Sequence, residues 1–221
     1  MEKLTRRNSL LAFGGLAAAA AGWRADDAGA GPAAVASGAV SCVLTPEMTE
    51  GPYYVPDEAV RRDITEGRPG TPLTLHLTVV SVSSCKPIAG AKVDVWHADA
   101  SGVYSGVQGN TGTFMRGIQP TNAKGLALFD TAYPGWYTGR TVHIHMKVHL
   151  GGNVVHTGQL FFPDTLTDAV YAKSPYSNRP NRDTRNANDS IFRNGGSRSM
   201  LHVTRGGSGY VGAIVLGVHR S

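Results

Sequence analysis

The sequence has 221 residues, of which 41% are hydrophobic and 17% are charged, and its net charge is +5. An apolar fraction of this size supplies the core of a globular domain and excludes an intrinsically disordered or collagen-like chain. Two cysteines exclude a disulfide framework. The 28 glycines, with few charged residues, predict a turn-rich chain built from strands.

Residues 1–40 differ in composition from the rest of the chain and predict an export signal with an Ala/Gly linker. A basic segment at residues 1–7, with Lys3, Arg6 and Arg7, precedes an apolar run at 10–16. This run is too short and too glycine-rich to span a bilayer. The pair Arg6-Arg7 resembles a twin-arginine signal; an ordinary secretory signal is the alternative. Both kinds of signal predict a periplasmic or extracellular protein, and a twin-arginine signal predicts export through the twin-arginine machinery. Neither predicts stable membrane insertion after the signal is removed.

Residues 41–221 are predicted to form one domain that begins near the first of the two cysteines. In an oxidising compartment Cys42 and Cys85 can pair. Two buried free thiols are the other interpretation, and the sequence does not decide between them.

Alternation of apolar and polar residues predicts successive strands along this domain. It runs through residues 74–82, 92–97, 125–130, 141–150, 154–162 and 210–216, and the turn at Gly151-Gly152-Asn153 predicts a hairpin. A short helix is predicted at 165–173, with Asp164 or Thr165 as its N-cap. Residues 174–209 have no periodic pattern and are predicted to be irregular. The pattern predicts an all-β fold, a single β-sandwich with short helical and irregular excursions.

A cluster of arginines in the irregular segment raises the question of a nucleic-acid partner. Neither interleaved aromatic residues nor a basic helix accompanies the cluster, so the sequence predicts no nucleic acid and a solvated surface that can attract anionic substrates. The residues are Arg179, Arg182, Arg185, Arg193, Arg198 and Arg205.

The strand at 141–150 carries a candidate metal site. Because alternate residues share a face, His143 and His145 point the same way and can converge on one ion. The turn before the strand adds Tyr137 and Arg140. Phenolate is a hard anionic ligand, and together with imidazole it suits a hard ion such as Fe(III).

Five segments in order resemble the intradiol ring-cleavage dioxygenases, non-haem Fe(III) enzymes that split catechols between their hydroxyls. These segments are residues 45–54, 93–106, 134–137, 140–145 and 159–162. The resemblance spans nearly all of the chain after residue 40 and is to the secreted single-domain branch. It implies one Fe(III) per chain, with Tyr104, Tyr137, His143 and His145 as ligands.

The resemblance implies an oxidoreductase that uses O2 to cleave a catechol-type diol to a cis,cis-muconate-type diacid, in the degradation of aromatic compounds. It gives Tyr104 a second role, as the ligand that leaves the metal and takes up a substrate proton. Arg140 would stabilise charge developing on the substrate, and Gln159 would orient the ligands or the substrate.

Aromatic residues near these motifs are candidates for substrate binding, namely Tyr53, Tyr54 and Trp136, although each is equally expected as a core residue. His149 lies too far along the strand to be a ligand, and His97 is interpreted as a hydrogen-bonded structural residue. Only two residues separate Tyr137 from Arg140, which shortens one wall of the site. The sequence identifies neither the particular catechol nor the choice between a monomer and a homo-oligomer.

Two other classes of protein compete with this hypothesis. One is a zinc hydrolase that uses His143 and His145 with Asp130 or Asp94 as an acidic third ligand. The other is a carbohydrate-binding β-sandwich without redox activity, in which tyrosine and tryptophan side chains are stacking platforms. Colour separates these classes from the first, because a ferric phenolate absorbs visible light and the alternatives do not.

Overall fold

The computed structural model describes residues 42–220, so the predicted signal and linker at 1–40 lie outside the described residues. In the described part eight strands form two four-stranded sheets, in the orders β4-β1-β8-β7 and β3-β2-β5-β6. The strands are β1 (Pro72–Ser81), β2 (Lys92–Trp96), β3 (Arg116–Pro120), β4 (Leu126–Ala132), β5 (His143–Leu150), β6 (Asn153–Phe161), β7 (His202–Gly206) and β8 (Gly209–Val218). The all-β sandwich is confirmed.

The helical parts are short. They comprise α1 (Asp164–Tyr171), α2 (Ser190–Arg193) and 3-10 turns at Tyr176–Asn178, Asn186–Asn188 and Gly196–Ser199. The helix predicted at 165–173 is present as α1, but its N-cap is Pro163 rather than Asp164 or Thr165. No helix within residues 42–220 is long and apolar enough to cross a membrane.

The core lies between the two sheets and takes one face of each strand. Leu75 and Leu77 of β1 meet Ile144 and Met146 of β5 in one buried cluster. The alternate residues of β5, including His143 and His145, therefore face away from the core on the outer side of their sheet. Because chain segments from outside the sheet cover this outer face, both histidines are nevertheless buried.

The predicted hairpin between β5 and β6 turns at Gly151-Gly152. Both glycines have positive φ, at 57° and 91°. A two-residue hairpin loop of this kind needs that conformation at both positions, which glycine adopts without steric cost. The tight turn, together with a one-residue register shift between Val148 and His149, places His143 opposite Phe161 and His145 opposite Gln159.

Two strands were missing from the sequence prediction. β3 has the sequence Arg-Gly-Ile-Gln-Pro and β7 has His-Val-Thr-Arg-Gly, each with a single large aliphatic residue. Both are edge strands, which bury less apolar surface than central strands and so lack clear alternation. The prediction that all of 174–209 is irregular was therefore wrong at β7 and at the short helical turns.

A segment at the start of the described chain connects one end of the sandwich to the candidate site. Cys42 and Cys85 form a disulfide, which answers the question that the sequence left open. Thr45 N then donates to Gly217 O at 3.0 Å, and Met48 N donates to Thr157 O at 3.0 Å. The segment thus crosses from the end of β8 to the outer side of β6.

Replacing Cys85 with serine is expected to lower the free energy of unfolding by up to about 4 kcal/mol, the chain-entropy value for a loop of this size. The loop would regain its freedom in the unfolded state. Urea denaturation of wild type and variant, each with and without a thiol reductant, measures the effect. Wild type should fall to the level of the variant on reduction, and equal midpoints for the oxidised proteins would contradict the prediction.

Candidate metal centre and active site

The site is built on one row of residues across the outer face of the second sheet. The strand register places Arg116 of β3, Trp96 of β2, His145 of β5 and Gln159 of β6 side by side. All four side chains are at most 1% exposed. Four sequence-distant residues thus form one line because adjacent strands fix their register.

The two histidines of β5 converge. Their Nε2 atoms are 3.0 Å apart. Nδ1 of His143 is 2.6 Å from the carbonyl oxygen of Thr141, which can only accept, so Nδ1 carries the proton and Nε2 keeps its lone pair. The indole of Trp96 stacks on the ring of His145, with centroids 5.0 Å apart and an interplanar angle of 8°. Both rings are therefore held in orientation by neighbours that are not themselves proposed ligands.

Two tyrosines complete the arrangement. Tyr137 lies in the turn before β5, and its hydroxyl is 3.1 Å from Nε2 of His143. Tyr104 comes from the loop after β2; its ring centroid is 5.6 Å from that of Tyr137 and 6.2 Å from that of His145. The buried Tyr104 hydroxyl has no hydrogen-bond partner within residues 42–220. The structure therefore brings together the four residues that the sequence proposed as ligands.

Burial determines the charge state of these groups. It lowers the pKa of His143 to about 3 and holds the pKa of His145 well below its usual range. It also raises the pKa values of Tyr104 and Tyr137, in Tyr104 with a further contribution from Tyr137. Neutral imidazoles are the form that binds metals. The phenols, in contrast, need a nearby positive charge to ionise, which a bound cation supplies.

The donor set fits a metal ion. Imidazole nitrogens bind transition metals such as zinc at about 2.0–2.1 Å, so two that bind at right angles lie about 3 Å apart. The separations of 3.0 Å between the two histidines and 3.1 Å between Tyr137 and His143 match this value. The unpartnered Tyr104 hydroxyl is a fourth donor on the same side. Two nitrogens with two phenol oxygens are a set suited to Fe(III).

The carboxylates that a zinc hydrolase would need lie elsewhere. Asp130 is on β4 of the other sheet and forms an ion pair with Arg62 at 2.8 Å. Asp94 lies one row away from His145, opposite Lys147 in the register. Among residues 42–220 no group of three or more His, Cys, Asp or Glu side chains is arranged to hold a metal. The third donor that the fold brings to the two histidines is the oxygen of Tyr137.

Arg140 and Gln159 form a network beside the histidines. Nη2 of Arg140 donates to Oε1 of Gln159 at 2.5 Å, and Nη1 lies 3.4 Å from Nε2 of His143. Nε2 of Gln159 donates to the carbonyl oxygen of Thr49 at 2.9 Å. Nε of Arg140 donates to Oδ2 of Asp189 at 2.8 Å. A cationic guanidinium thus lies directly beside the proposed ligands.

The three candidate substrate-binding aromatics occupy different places. Tyr53 is next to the tyrosine pair, 4.6 Å from Tyr104 and 6.1 Å from Tyr137 between ring centroids. Tyr54 packs on Trp96 and Lys147. Trp136 instead packs against the main core, and its indole N–H donates to Arg179 O. Of the three, the structure brings only Tyr53 to the proposed tyrosine ligands.

The two remaining histidines of interest are outside the ligand group. His97 is fully buried; its Nδ1 is 2.8 Å from Ala98 O and its Nε2 is 2.8 Å from Thr131 Oγ1. His149 lies at the far end of β5, with Nε2 4.0 Å from Oδ2 of Asp94. Both positions agree with the interpretation that neither residue binds the metal.

Several arginines of the cluster are engaged in local contacts. Arg182 forms ion pairs with Asp164 and Asp168, and Arg185 also pairs with Asp168. Arg179 lies over the ring of Trp136. These contacts hold the irregular segment against α1 and the turn before β5.

Sequence reasoning missed three residues that support the site: Asp189, Trp96 and Arg116. Arg116 is buried beside the site and donates from Nη2 to Ser105 O at 2.7 Å, which fixes the loop that carries Tyr104. The sequence alone does not show that Trp96 lies opposite His145 or that Arg116 contacts the loop of Tyr104. Both facts depend on strand register and tertiary contacts. A weak signal for Asp189 existed, because Asp before Ser-Ile-Phe is a typical N-cap.

Asp94 is a buried carboxyl next to the site with an unusual titration. Its side chain is 1% exposed, and burial raises its pKa to about 6 from 3.8. Between these values the folded state holds a proton that the unfolded chain has lost, so stability falls as pH rises from about 4 to 6 and stays lower above. At pH 8 the buried charge costs about 3 kcal/mol or less.

Replacing Asp94 with asparagine keeps the shape of the side chain and removes its charge. The free energy of unfolding of the variant minus that of wild type is expected to be more positive at pH 8 than at pH 4, by about 1–3 kcal/mol. Denaturant titrations at the two pH values measure the difference. Asp63→Asn is the control, because the backbone N–H of Thr65 lowers the pKa of Asp63 and the change should have the opposite sign. An Asp94 variant with no pH-dependent difference would contradict the assignment.

The chain is similar in sequence to known dioxygenases. The family model Dioxygenase_C, described as Dioxygenase, matches residues 49–180. Catechol 1,2-dioxygenase 1 of Acinetobacter lwoffii is 37% identical over 103 residues, which are 42% of this chain and 32% of that protein. Chlorocatechol 1,2-dioxygenase of Pseudomonas putida is 28% identical over 51% of this chain and 52% of its own length. The matched part thus spans about a third to half of these relatives.

Two solved structures are similar over most of the described chain. An intradiol ring-cleavage dioxygenase from Tetranychus urticae is 37% identical, with a TM-score of 0.77, over 80% of this chain and 95% of that one. The dioxygenase domain of a dioxygenase carbohydrate-binding protein fusion from Streptomyces sp. SirexAA-E is 35% identical, with a TM-score of 0.62, over 80% and 99%. With the match to the family model over more than half of its residues, the chain belongs to the Dioxygenase_C family of intradiol ring-cleavage dioxygenases.

Proposed function

We propose that this protein cleaves a catechol-type aromatic diol between its two hydroxyls, using O2 and a bound ferric ion, to give a cis,cis-muconate-type dicarboxylic acid. The observation that carries the proposal is a cluster of three donor atoms. Nε2 of His143 lies 3.0 Å from Nε2 of His145 and 3.1 Å from the hydroxyl oxygen of Tyr137, and the ring of Tyr104 is beside them. Family membership supports the same reaction class.

The residues that would hold the ion are Tyr104, Tyr137, His143 and His145, as one ion per chain. A bound ferric ion would act as a Lewis acid and would draw electron density from a coordinated catechol. The protein contributes orientation, through Trp96 against His145 and Thr141 against His143. Orientation of this kind fixes the direction of each lone pair before the ion binds.

Arg140 is the cationic group that we assign to the substrate. Its Nη1 lies 3.4 Å from Nε2 of His143, so its charge is beside the residues that would hold the ion. Negative charge develops on the substrate ring in the transition state. A preorganised donor such as this guanidinium therefore stabilises the transition state more than the ground state. Gln159 accepts a hydrogen bond from Nη2 and so helps to fix the orientation of the guanidinium.

Tyr104 is the residue that we assign to substrate deprotonation. With a cation bound, Tyr104 would be held as a phenolate, and its buried Oη, which has no hydrogen-bond partner in the described chain, would accept a proton from an entering catechol hydroxyl and become a neutral phenol. Tyr53 packs on the Tyr104 ring at 4.6 Å, and its hydroxyl accepts from Nε2 of Gln108 at 3.2 Å. We therefore assign Tyr53 to contact with the substrate.

We further propose that the protein acts outside the cytoplasm, exported through the twin-arginine machinery. Support comes from Arg6-Arg7 before an apolar run and from the Cys42–Cys85 disulfide, a bond typical of oxidising compartments. Expression of the full-length chain fused to a reporter, in cells with and without that machinery, tests this part. Export that does not depend on the machinery would contradict it.

The reaction is tested by oxygen uptake with a panel of substrates: catechol, protocatechuate, hydroxyquinol and larger lignin-type catechols. Under ¹⁸O2 the expected product is a dicarboxylic acid that contains both labelled oxygen atoms. The panel also identifies the preferred substrate. Absence of oxygen uptake with every catechol, in protein that contains stoichiometric iron, would overturn the proposal.

A further inference from the structure

Asp189 connects three parts of the molecule through one buried carboxylate. It is 1% exposed. Its Oδ1 accepts the N–H groups of Ile191 and Phe192, both at 2.8 Å, and so caps α2. Its Oδ2 accepts Nε of Arg140 and the backbone N–H of Thr141, also both at 2.8 Å. Capping α2 requires only Oδ1, so the cap does not account for the contacts of Oδ2.

The contacts of Oδ2 determine the orientation of Arg140. Nε is bound to Asp189 and Nη2 to Gln159, so two of the three guanidinium nitrogens are each held by a separate partner. The third, Nη1, is then directed toward Nε2 of His143 at 3.4 Å. Arg140 follows Gly139, which has a positive φ of 83°, and is 17% exposed, so solvent is an alternative for its head group. The carboxylate of Asp189 and the amide oxygen of Gln159 together hold it inward, and of the two only the carboxylate is charged.

The same oxygen also holds the start of β5. Thr141 N donates to Oδ2, and Thr141 O in turn accepts Nδ1 of His143. A second contact secures this end of the strand, from Thr141 Oγ1 to Oδ1 of Asn186 at 2.7 Å. Because Asn186 keeps Thr141 in place, loss of the Asp189 charge should affect the guanidinium more than the histidine.

We propose that Asp189 is the positioning residue of Arg140, whose guanidinium it aims at the bound substrate. The inference rests on the function proposed above. A charged acceptor gives a stronger and more directional bond to a guanidinium than a neutral group does. Displacement of a catalytic group by about 1 Å costs about 10²-fold in rate, so the loss of this one contact should appear in turnover.

The test is a double-variant cycle with Asp189→Asn and Arg140→Gln, measured as kcat/KM for a catechol. Asparagine caps helices as well as aspartate does, so the capping role is kept while the charged acceptor is lost. We expect Asp189→Asn to lower kcat/KM by about 10–100-fold, with iron content and visible spectrum unchanged. The double variant should be no worse than Arg140→Gln alone, because Asp189 acts through that residue.

Asp189→Ser is the matched control for the cap, since serine caps a helix but is too short to reach Arg140. It should reproduce the kinetic defect of Asp189→Asn. If the two single losses multiply in the double variant, or if either Asp189 variant retains wild-type kcat/KM, the proposal is overturned.

A wild-type protein that consumes no oxygen with any catechol would overturn the proposed function instead. The positioning claim is then decided by the same cycle in urea denaturation. The folding equilibrium constant of the double variant should differ from the product of the single effects by about fivefold or more. Additive effects in that measurement would show that Asp189 does not hold Arg140.

Discussion

Replacing His145 with alanine is expected to abolish metal binding and to lower kcat/KM for ring cleavage by about 10³-fold or more, since a Lewis-acid metal contributes several kcal/mol to such reactions. The physical reason is the loss of one of two nitrogens that lie 3.0 Å apart. His143, Tyr137 and Tyr104 would remain, but with only one imidazole left these three donors would not hold the ion against water. Metal analysis and oxygen uptake measure the two effects.

The matched control is His149→Ala. His149 is on the same strand and the same face, yet its Nε2 points to Asp94 rather than to the ligand group. This variant should retain wild-type iron content and turnover, and both variants should remain folded by circular dichroism. Equal iron content in wild type and a folded His145→Ala would show that the histidine is not a ligand.

Replacing Arg140 with glutamine is expected to reduce kcat by about 10²–10³-fold, the range observed when one preorganised transition-state donor is removed. Iron content should be unchanged, because Arg140 is 3.4 Å from His143 without being a metal donor. The loss should fall mainly on kcat rather than KM, since the interaction strengthens in the transition state. Steady-state kinetics with the metal-loaded protein give both constants.

Arg62→Gln is the control for removal of an arginine charge. Arg62 forms an exposed ion pair with Asp130 on the other sheet, which is worth little. Its kinetics should be those of wild type. If Arg140→Gln also keeps wild-type kcat, the guanidinium stabilises no charge in the transition state and serves only in the ion pair with Asp189.

The strands of the core and the candidate ligands could be predicted from the sequence. Alternation in residues 141–150 places His143 and His145 on the face opposite Ile144 and Met146, and the structure has this arrangement. Alternation reports burial of one face, which is the main force that shapes a central strand. Alternation does not predict β3 and β7, because these edge strands have little apolar surface to bury.

What could not be predicted depends on the tertiary arrangement. The stacking of Trp96 on His145 follows from the register between β2 and β5, which a local pattern does not contain. Asp189 is separated from Arg140 by 49 positions, and its sequence context indicates only a helix cap. Trp136 illustrates the converse, since its place next to Tyr137 in sequence suggested substrate contact but its indole packs against the core.

The visible absorption spectrum of the purified full-length protein, recorded together with its metal content, tests the central claim most directly. Coordination of Tyr104 and Tyr137 to a ferric ion predicts a coloured protein with iron in a one-to-one ratio to the chain and a phenolate charge-transfer band. The band should shift when a catechol binds. A colourless protein that contains no iron and still cleaves catechols would contradict the account.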